Sequence, residues 1–435
     1  MNPQADTLLR QSRESSLRSR RDAVQLVQEA LEADAEFSLA HAIRGFYYYG
    51  ERHQRNSETV RQCVADSTRY LATSDIAASH YCNALTAASE GNAASMVFHL
   101  EQQLLNDPTD ITALKLCQSE LFWMGEMHWS ASVSDSVAQH WNKDHPYYGD
   151  FLAIRAFDLE ETGDYQAAEK CGRESVELNP SDVWGTHAVA HVMYMQGRSE
   201  EGASWLDQLH QGGHWQGLGQ MVLHLWWHRA LFYLLSGEHD AALSVYDDYL
   251  RNFELDMVAA LPDLYLDLQN ATSLLLRLEF CNIDVGSRWT ALADICTQRV
   301  ADSSNAFSCA HYAAVLAADN RFEQAQELIA NMSVASAAGG SLAGSFSNAA
   351  VPAAVASVAH RRRDYRQVID LLMPVRHRLV QMGGSHAQRE VFLLMLADAL
   401  QHEGEFDLLR KLSVDIQDTG FADIMAHRIL PKYQG

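Results

Sequence analysis

Proline is scarce, at 8 of 435 residues, and glycine is modest at 24. That scarcity leaves little room for a loop-rich β architecture, a collagen-like repeat or a disordered chain. Basic charge is short as well: 33 Lys and Arg stand against 56 Asp and Glu, a formal net charge of −23. Such a surface repels phosphate backbones and anionic lipid, so neither nucleic acid nor membrane is an expected partner. The most basic stretches, RESSLRSRRD near the N-terminus and HRRRDYR at 360–366, are short and mixed with acids, and read as solvated helix faces. The seven cysteines are scattered and contain no CxxC pair, which points to reduced, mostly buried thiols rather than a disulfide framework or a zinc–thiolate site. No apolar run approaches a membrane span, and MNPQADTLLRQSRESS lacks a signal-type apolar segment, so a soluble, cytoplasmic protein is expected. HExxH, a usable Ser/His/Asp triad, a phosphate loop and a nucleotide fingerprint are all missing.

What is present is helix. Hydrophobic residues make up 47% of the chain, and 435 residues exceed one simple core, so several domains or one repeat array is expected. Residues 151–182, FLAIRAFDLEETGDYQAAEKCGRESVELNPSD, show the unit: an apolar-periodic helix ending at Gly163, a second helix opening at DYQAAE, and a stop at Pro180. Ala156, Ala167 and Ala168 allow close helix approach, and Tyr165 fills the gap beside the turn, as in a tetratricopeptide-type hairpin. The turn signature recurs at Gly91, Gly125, Gly163, Gly197, Gly237, Asn282, Asn320, Asp364 and Gly404, at intervals of 34 to 45 residues. The reading is an all-α, tetratricopeptide-like helical-hairpin solenoid, a right-handed superhelix of eight or nine degenerate repeats forming a single domain over 1–435. Within it, 1–35 is expected as an N-terminal capping helix and 36–146 as degenerate hairpins. The best-defined repeats fall at 147–330, a flexible Gly/Ser/Ala loop at 331–352, and C-terminal hairpins and a cap at 353–435.

Histidines fall in phase on these hairpins. Measured back from the turn that ends each first helix, His191 and His187 lie 6 and 10 residues away, His228 and His224 lie 9 and 13, and His311 lies 9. Those offsets follow the i, i+3, i+4, i+7 rule, so all five occupy one stripe of successive first helices. In stacked hairpins of this type that stripe faces the inner, concave wall. The HxxxH pairs His187/His191 and His224/His228 (HLWWHRAL) present imidazoles at a spacing suited to one first-row transition metal ion. A single buried histidine is ordinarily a hydrogen-bonded core residue, but five in one phase make a polar pocket, with Trp184 and Trp226 as its walls. In MGGSHAQREVF, Gly383-Gly384 ends one helix and Ser385 caps the next, putting His386, Gln388 and Arg389 on a helical first turn suited to a carboxylate or phosphate.

The stretches at 159–206, HLWWHRALFYLLSGEHDAALSVYD, DVGSRWTALAD and MGGSHAQREVF together resemble the tetratricopeptide repeat protein 38 family, over most of the chain after about residue 35. The resemblance implies an all-helical fold and carries over His187, His191, Gly197, His224, Trp227, His228, His311, Gly384, Ser385, His386, Gln388 and Arg389 as patterned positions. It implies no reaction. Asn270 stands where the family pattern has an acidic residue, and an expected Asp-Ala pair reads NATS.

Three functions fit this reading. The first is a binding module holding a small polar or anionic ligand, or a peptide end, in a groove lined by His187, His191, His224, His228, His311, His386, Gln388 and Arg389. The second is a metal-dependent enzyme with His187, His191, His224 and His228 as ligands. The third is a scaffold for protein partners.

Overall fold

The computed structural model describes residues 2–415. Among the described residues there is no β-strand, only one isolated bridge between Arg20 and Leu218, and successive helices pair into hairpins. The protein is an all-α, tetratricopeptide-like helical-repeat protein. The C-terminal part of the expected cap, from residue 416 on, lies outside the described residues.

Turn chemistry explains where each hairpin folds back. Gly163 takes φ +91°, a conformation cheap for glycine alone. Its N–H and that of Asp164 donate back to the Glu160 and Leu159 carbonyls at 3.0 and 2.9 Å, closing the helix end. The Asp164 carboxylate then caps the next helix by accepting from the Ala167 N–H. Positive φ recurs at Gly91, Gly125, Gly197, Gly237, Asn282, Asn320 and Gly404, as the turn signature requires. At the remaining turn the left-handed residue is Arg363 rather than Asp364; Asp364 is the N-cap and accepts from Gln367. Residues 1–35, expected as one capping helix, form two, Pro3–Leu17 and Ala23–Ala33.

Residues 331–352 depart from the expected flexible loop. The helix Phe322–Ala337 runs well into the segment, and helical backbone resumes at Ala343 and continues to Arg361. Alanine is the strongest helix former, and here its small side chain is a packing surface: Ala349 and Ala350 are buried beside Phe346. Only the short stretch around Gly339 and Gly340, both at positive φ, is left to turn.

The described chain divides into two compact units. The first holds the residues up to Ala188 with Gly213–Val222 and Gly340–Leu342; the second holds Val189–Gly212, Leu223–Gly339 and the residues from Ala343 on. In the second unit, first helices are buried on nearly every face. All thirteen residues of Ala306–Ala318 are buried, as are Asp267 to Leu278 without interruption in Tyr265–Phe280. Among the described residues, no helix is long and apolar enough to cross a membrane.

Candidate functional site

Helical periodicity puts His224 and His228 one turn apart on Met221–Leu235, and His191 on Val183–Met195. Packing of these helices in the second unit brings the three imidazoles together. The ring centroids of His191 and His228 lie 4.4 Å apart, and those of His224 and His228 4.8 Å. One ring nitrogen from each of the three lies within 4.8 Å of the others. The rings are enclosed rather than presented to an open groove: His191 and His228 are 0% exposed and His224 is 3% exposed. His187 stands one helical turn before His191 on the same helix and falls in the first unit, where its ring lies 5.3 Å from that of Phe157.

Burial decides the charge of His224 and His228. Loss of hydration lowers the His224 pKa to about 3, with the His191 imidazole adding to the shift and the Asn270 hydrogen bond opposing it. His228 is held well below the ordinary imidazole value by burial first, then by His191, His224 and the Arg277 guanidinium. His224 and His228 are therefore neutral at physiological pH, the state in which an imidazole nitrogen offers a lone pair. For His224 the partner selects the tautomer: its Nδ1–H donates to Asn270 Oδ1 at 3.0 Å, which leaves Nε2 as the donor atom. Trp227 stacks on the His224 ring at 5.1 Å and 15°, and fixes its plane.

A charged network closes the site. Arg277 and Glu390 form an ion pair at 3.1 Å with side chains 4% and 5% exposed. Arg277 also donates to the Ala387 carbonyl at 2.6 Å and to the Ser273 hydroxyl, and the Tyr194 hydroxyl donates to Glu390 Oε2 at 2.5 Å. These bonds satisfy charges that would otherwise be costly to bury. Neither Arg277 nor Glu390 stands out in sequence except as a charge inside an apolar run, SLLLRLEF and REVFLLM.

The other expected site residues divide. His311 is buried, its Nδ1–H donates to the Phe307 carbonyl at 2.9 Å, and its ring contacts are Phe307 and Phe392 rather than the three clustered imidazoles. Gln388 is engaged in a reciprocal capping box with Ser385, its Oε1 accepting from the Ser385 N–H at 3.0 Å. Arg389 is buried and donates to the Gly384 carbonyl, while His386 is half-buried. Gly384, at φ +82°, lies against the Phe307 ring so closely that a Cβ would sit 2.8 Å from it. Trp226 stacks on Tyr249 at 3.7 Å and meets His210, so the tryptophan against the imidazoles is Trp227. Trp184 belongs to the first unit, where Lys115 lies over its ring.

No protein-family model matches the chain. Among solved structures, it is similar to a tetratricopeptide repeat protein from Parabacteroides merdae, at 12% identity and a TM-score of 0.35, covering 69% of this chain and 93% of that one. It is also similar to the Naa15/Naa10 complex bound to HypK-THB, at 13% identity and a TM-score of 0.29 over 94% of this chain and 57% of that one. A third likeness is to the TPR domain of P58(IPK), at 11% identity and a TM-score of 0.22 over 67% of this chain and 81% of that one.

Proposed function

We propose that this tetratricopeptide-like protein is a binding protein whose second unit holds one transition-metal ion through His191, His224 and His228. The observation that carries this reading is the cluster of imidazoles: ring nitrogens within 4.8 Å, burial that suppresses protonation of His224 and His228, and an Asn270 bond that orients the His224 ring. Bound metal there would supply Lewis acidity or redox chemistry, which places a metal-dependent enzyme within the same proposal. Arg277, balanced by Glu390, adds no net charge beside the rings.

An organic ligand in a histidine-lined groove comes second, because the rings are enclosed and Gln388 and Arg389 already bond to the turn before their helix. Membership of the tetratricopeptide repeat protein 38 family and a cytoplasmic location belong to the same proposal. The seven free cysteines, five of them buried, favour a reducing compartment.

Elemental analysis of the purified protein, before and after offering Zn²⁺ or Co²⁺, tests the reading against two variants. Close to one equivalent is expected in the wild type and in His311→Gln, and loss of metal in a folded His224→Gln/His228→Gln double variant. Stoichiometric binding that survives the double variant, or none in the reconstituted wild type, refutes it.

A further inference from the structure

A second polar cluster lies in the second unit, around a cavity of about 480 Å³ whose lining includes none of the clustered imidazoles. That volume suits a small molecule. The turns after Tyr265–Phe280 and Val351–Arg361 and the end of His386–His402 wall it. Asp398, on the last of these helices, fixes two histidines. Its Oδ2 accepts from His360 Nε2 at 2.7 Å, and its carbonyl accepts from His402 Nδ1 at 2.9 Å. Tyr365 stacks on the His402 ring at 4.2 Å and 17°, and lies edge-on to His360 at 5.5 Å. With those nitrogens engaged, His360 Nδ1 and His402 Nε2 are the acceptors that the neutral rings present.

Most of the charge at this wall is committed. Glu279 receives both terminal nitrogens of Arg361, at 3.2 and 2.7 Å, and the Trp289 N–H at 2.9 Å. What is left is one cation, Arg363, and one exposed acid, Asp284, whose Oδ1 accepts only from the Gly286 N–H. The neighbours of Arg363 in HRRRDYR are occupied: Arg361 by Glu279, Arg362 over the Phe322 ring at 4.6 Å, and Arg366 by Glu405. Among the described residues, the Arg363 guanidinium makes no ion pair or hydrogen bond. Arg363 also stands at φ +61°, where the turns from Gly91 to Asn320 and at Gly404 use glycine or asparagine. An arginine there costs more than glycine would, and what it adds is a guanidinium at the cavity wall.

We propose that this cavity binds a free amino acid with an aromatic side chain, at a site independent of the histidine cluster. Arg363 takes the carboxylate. The ammonium group donates to the acceptor side, Asp284 and the free nitrogens of His360 and His402. The aromatic ring packs on Phe280 and Ile283, which complete the wall. A zwitterion matches both kinds of uncommitted group. A carboxylate alone leaves the acceptors without a donor, and a phosphate dianion meets three carboxylates with only one unspent guanidinium to hold it.

Calorimetric titration of the full-length protein with L-phenylalanine, L-tyrosine and L-tryptophan tests this, beside analogues of each that lack the amine (3-arylpropionates) or the carboxylate (2-arylethylamines). At least one amino acid is expected to bind, and about tenfold or more tightly than either of its analogues. Arg363→Gly relieves the backbone and keeps the fold, so it isolates the guanidinium. In that variant the amino acid should weaken to the level of its amine analogue, while the amine itself binds as it does to the wild type. Failure of all three amino acids to bind overturns the proposal. An analogue that matches its parent, or an affinity unchanged by Arg363→Gly, does the same.

Discussion

Replacing His311 with leucine removes one buried imidazole while leaving the His191, His224 and His228 cluster in place. Burial lowers the His311 pKa to about 4, with the Phe307 carbonyl bond working against the shift and Arg277 adding to it. In the unfolded chain the same ring titrates near about 6.5. Between those values the unfolded chain binds a proton that the folded chain does not. Stability therefore falls as pH drops from 6.5 toward 4, then levels once both states are protonated. Taken from pH 7 to pH 5, this costs the wild type about 2 kcal/mol that the variant does not lose. Total stability is a poor readout, because carboxyls pull the other way. Burial pushes Asp267 up to about 8 and Asp150 up to about 6. A carboxyl raised on folding destabilises the fold above its unfolded pKa, and that penalty is relieved as pH falls. Both proteins carry these groups, so they cancel in the difference. Guanidinium denaturation of both proteins at pH 7, 6 and 5, followed by tryptophan fluorescence, should show the stability gap moving in the variant's favour by about 2 kcal/mol. A gap constant to within about 0.5 kcal/mol would mean that His311 is hydrated or charged in the folded state, and the burial argument for the histidine stripe would fail with it.

Glu390→Gln keeps the shape of the Arg277 partner and removes its charge, leaving a buried guanidinium uncompensated; a loss of about 3 kcal/mol is expected in the same denaturation assay. A loss below about 1 kcal/mol would show that the pair is solvated. Arg363→Gly relieves an exposed non-glycine residue held at φ +61° and should raise stability by up to about 1 kcal/mol. Destabilisation would place the left-handed position elsewhere in that turn.

Much of the fold was legible because helix ends have a chemical signature. Where the left-handed turn residue is glycine or asparagine, sequence and structure agree, from Gly91 to Gly404. The two N-terminal hairpins were hidden for the converse reason: their positive-φ residues are Ser19 and Arg52, neither of which advertises a turn. The same ambiguity displaced one turn from Arg363 to Asp364, since an aspartate there is equally consistent with a turn residue or an N-cap. At 331–352, composition misled because small residues that look too weak to pack can pack very closely. Ala349 and Ala350 are completely buried.

The candidate site was half legible, and the missing half follows from distance along the chain. Helical phase alone picked out His187, His191, His224, His228 and His311 as one stripe, but it cannot tell which rings will touch; His311 faces Phe307 and Phe392 instead of the cluster. Phase does distinguish the tryptophans. Trp227 follows His224 by three residues and shares its face, whereas Trp226 follows by two and turns away, and the stacking distances agree. No local pattern could join Arg277 to Glu390, 113 residues apart, or Tyr194 to the same carboxylate, 196 residues apart. Asn270 is where the two kinds of information meet. As a departure from the family pattern it looked like a lost carboxylate; in the structure its amide oxygen accepts from His224 Nδ1. A carboxylate there would favour the imidazolium. The neutral amide gives the same orientation without that charge.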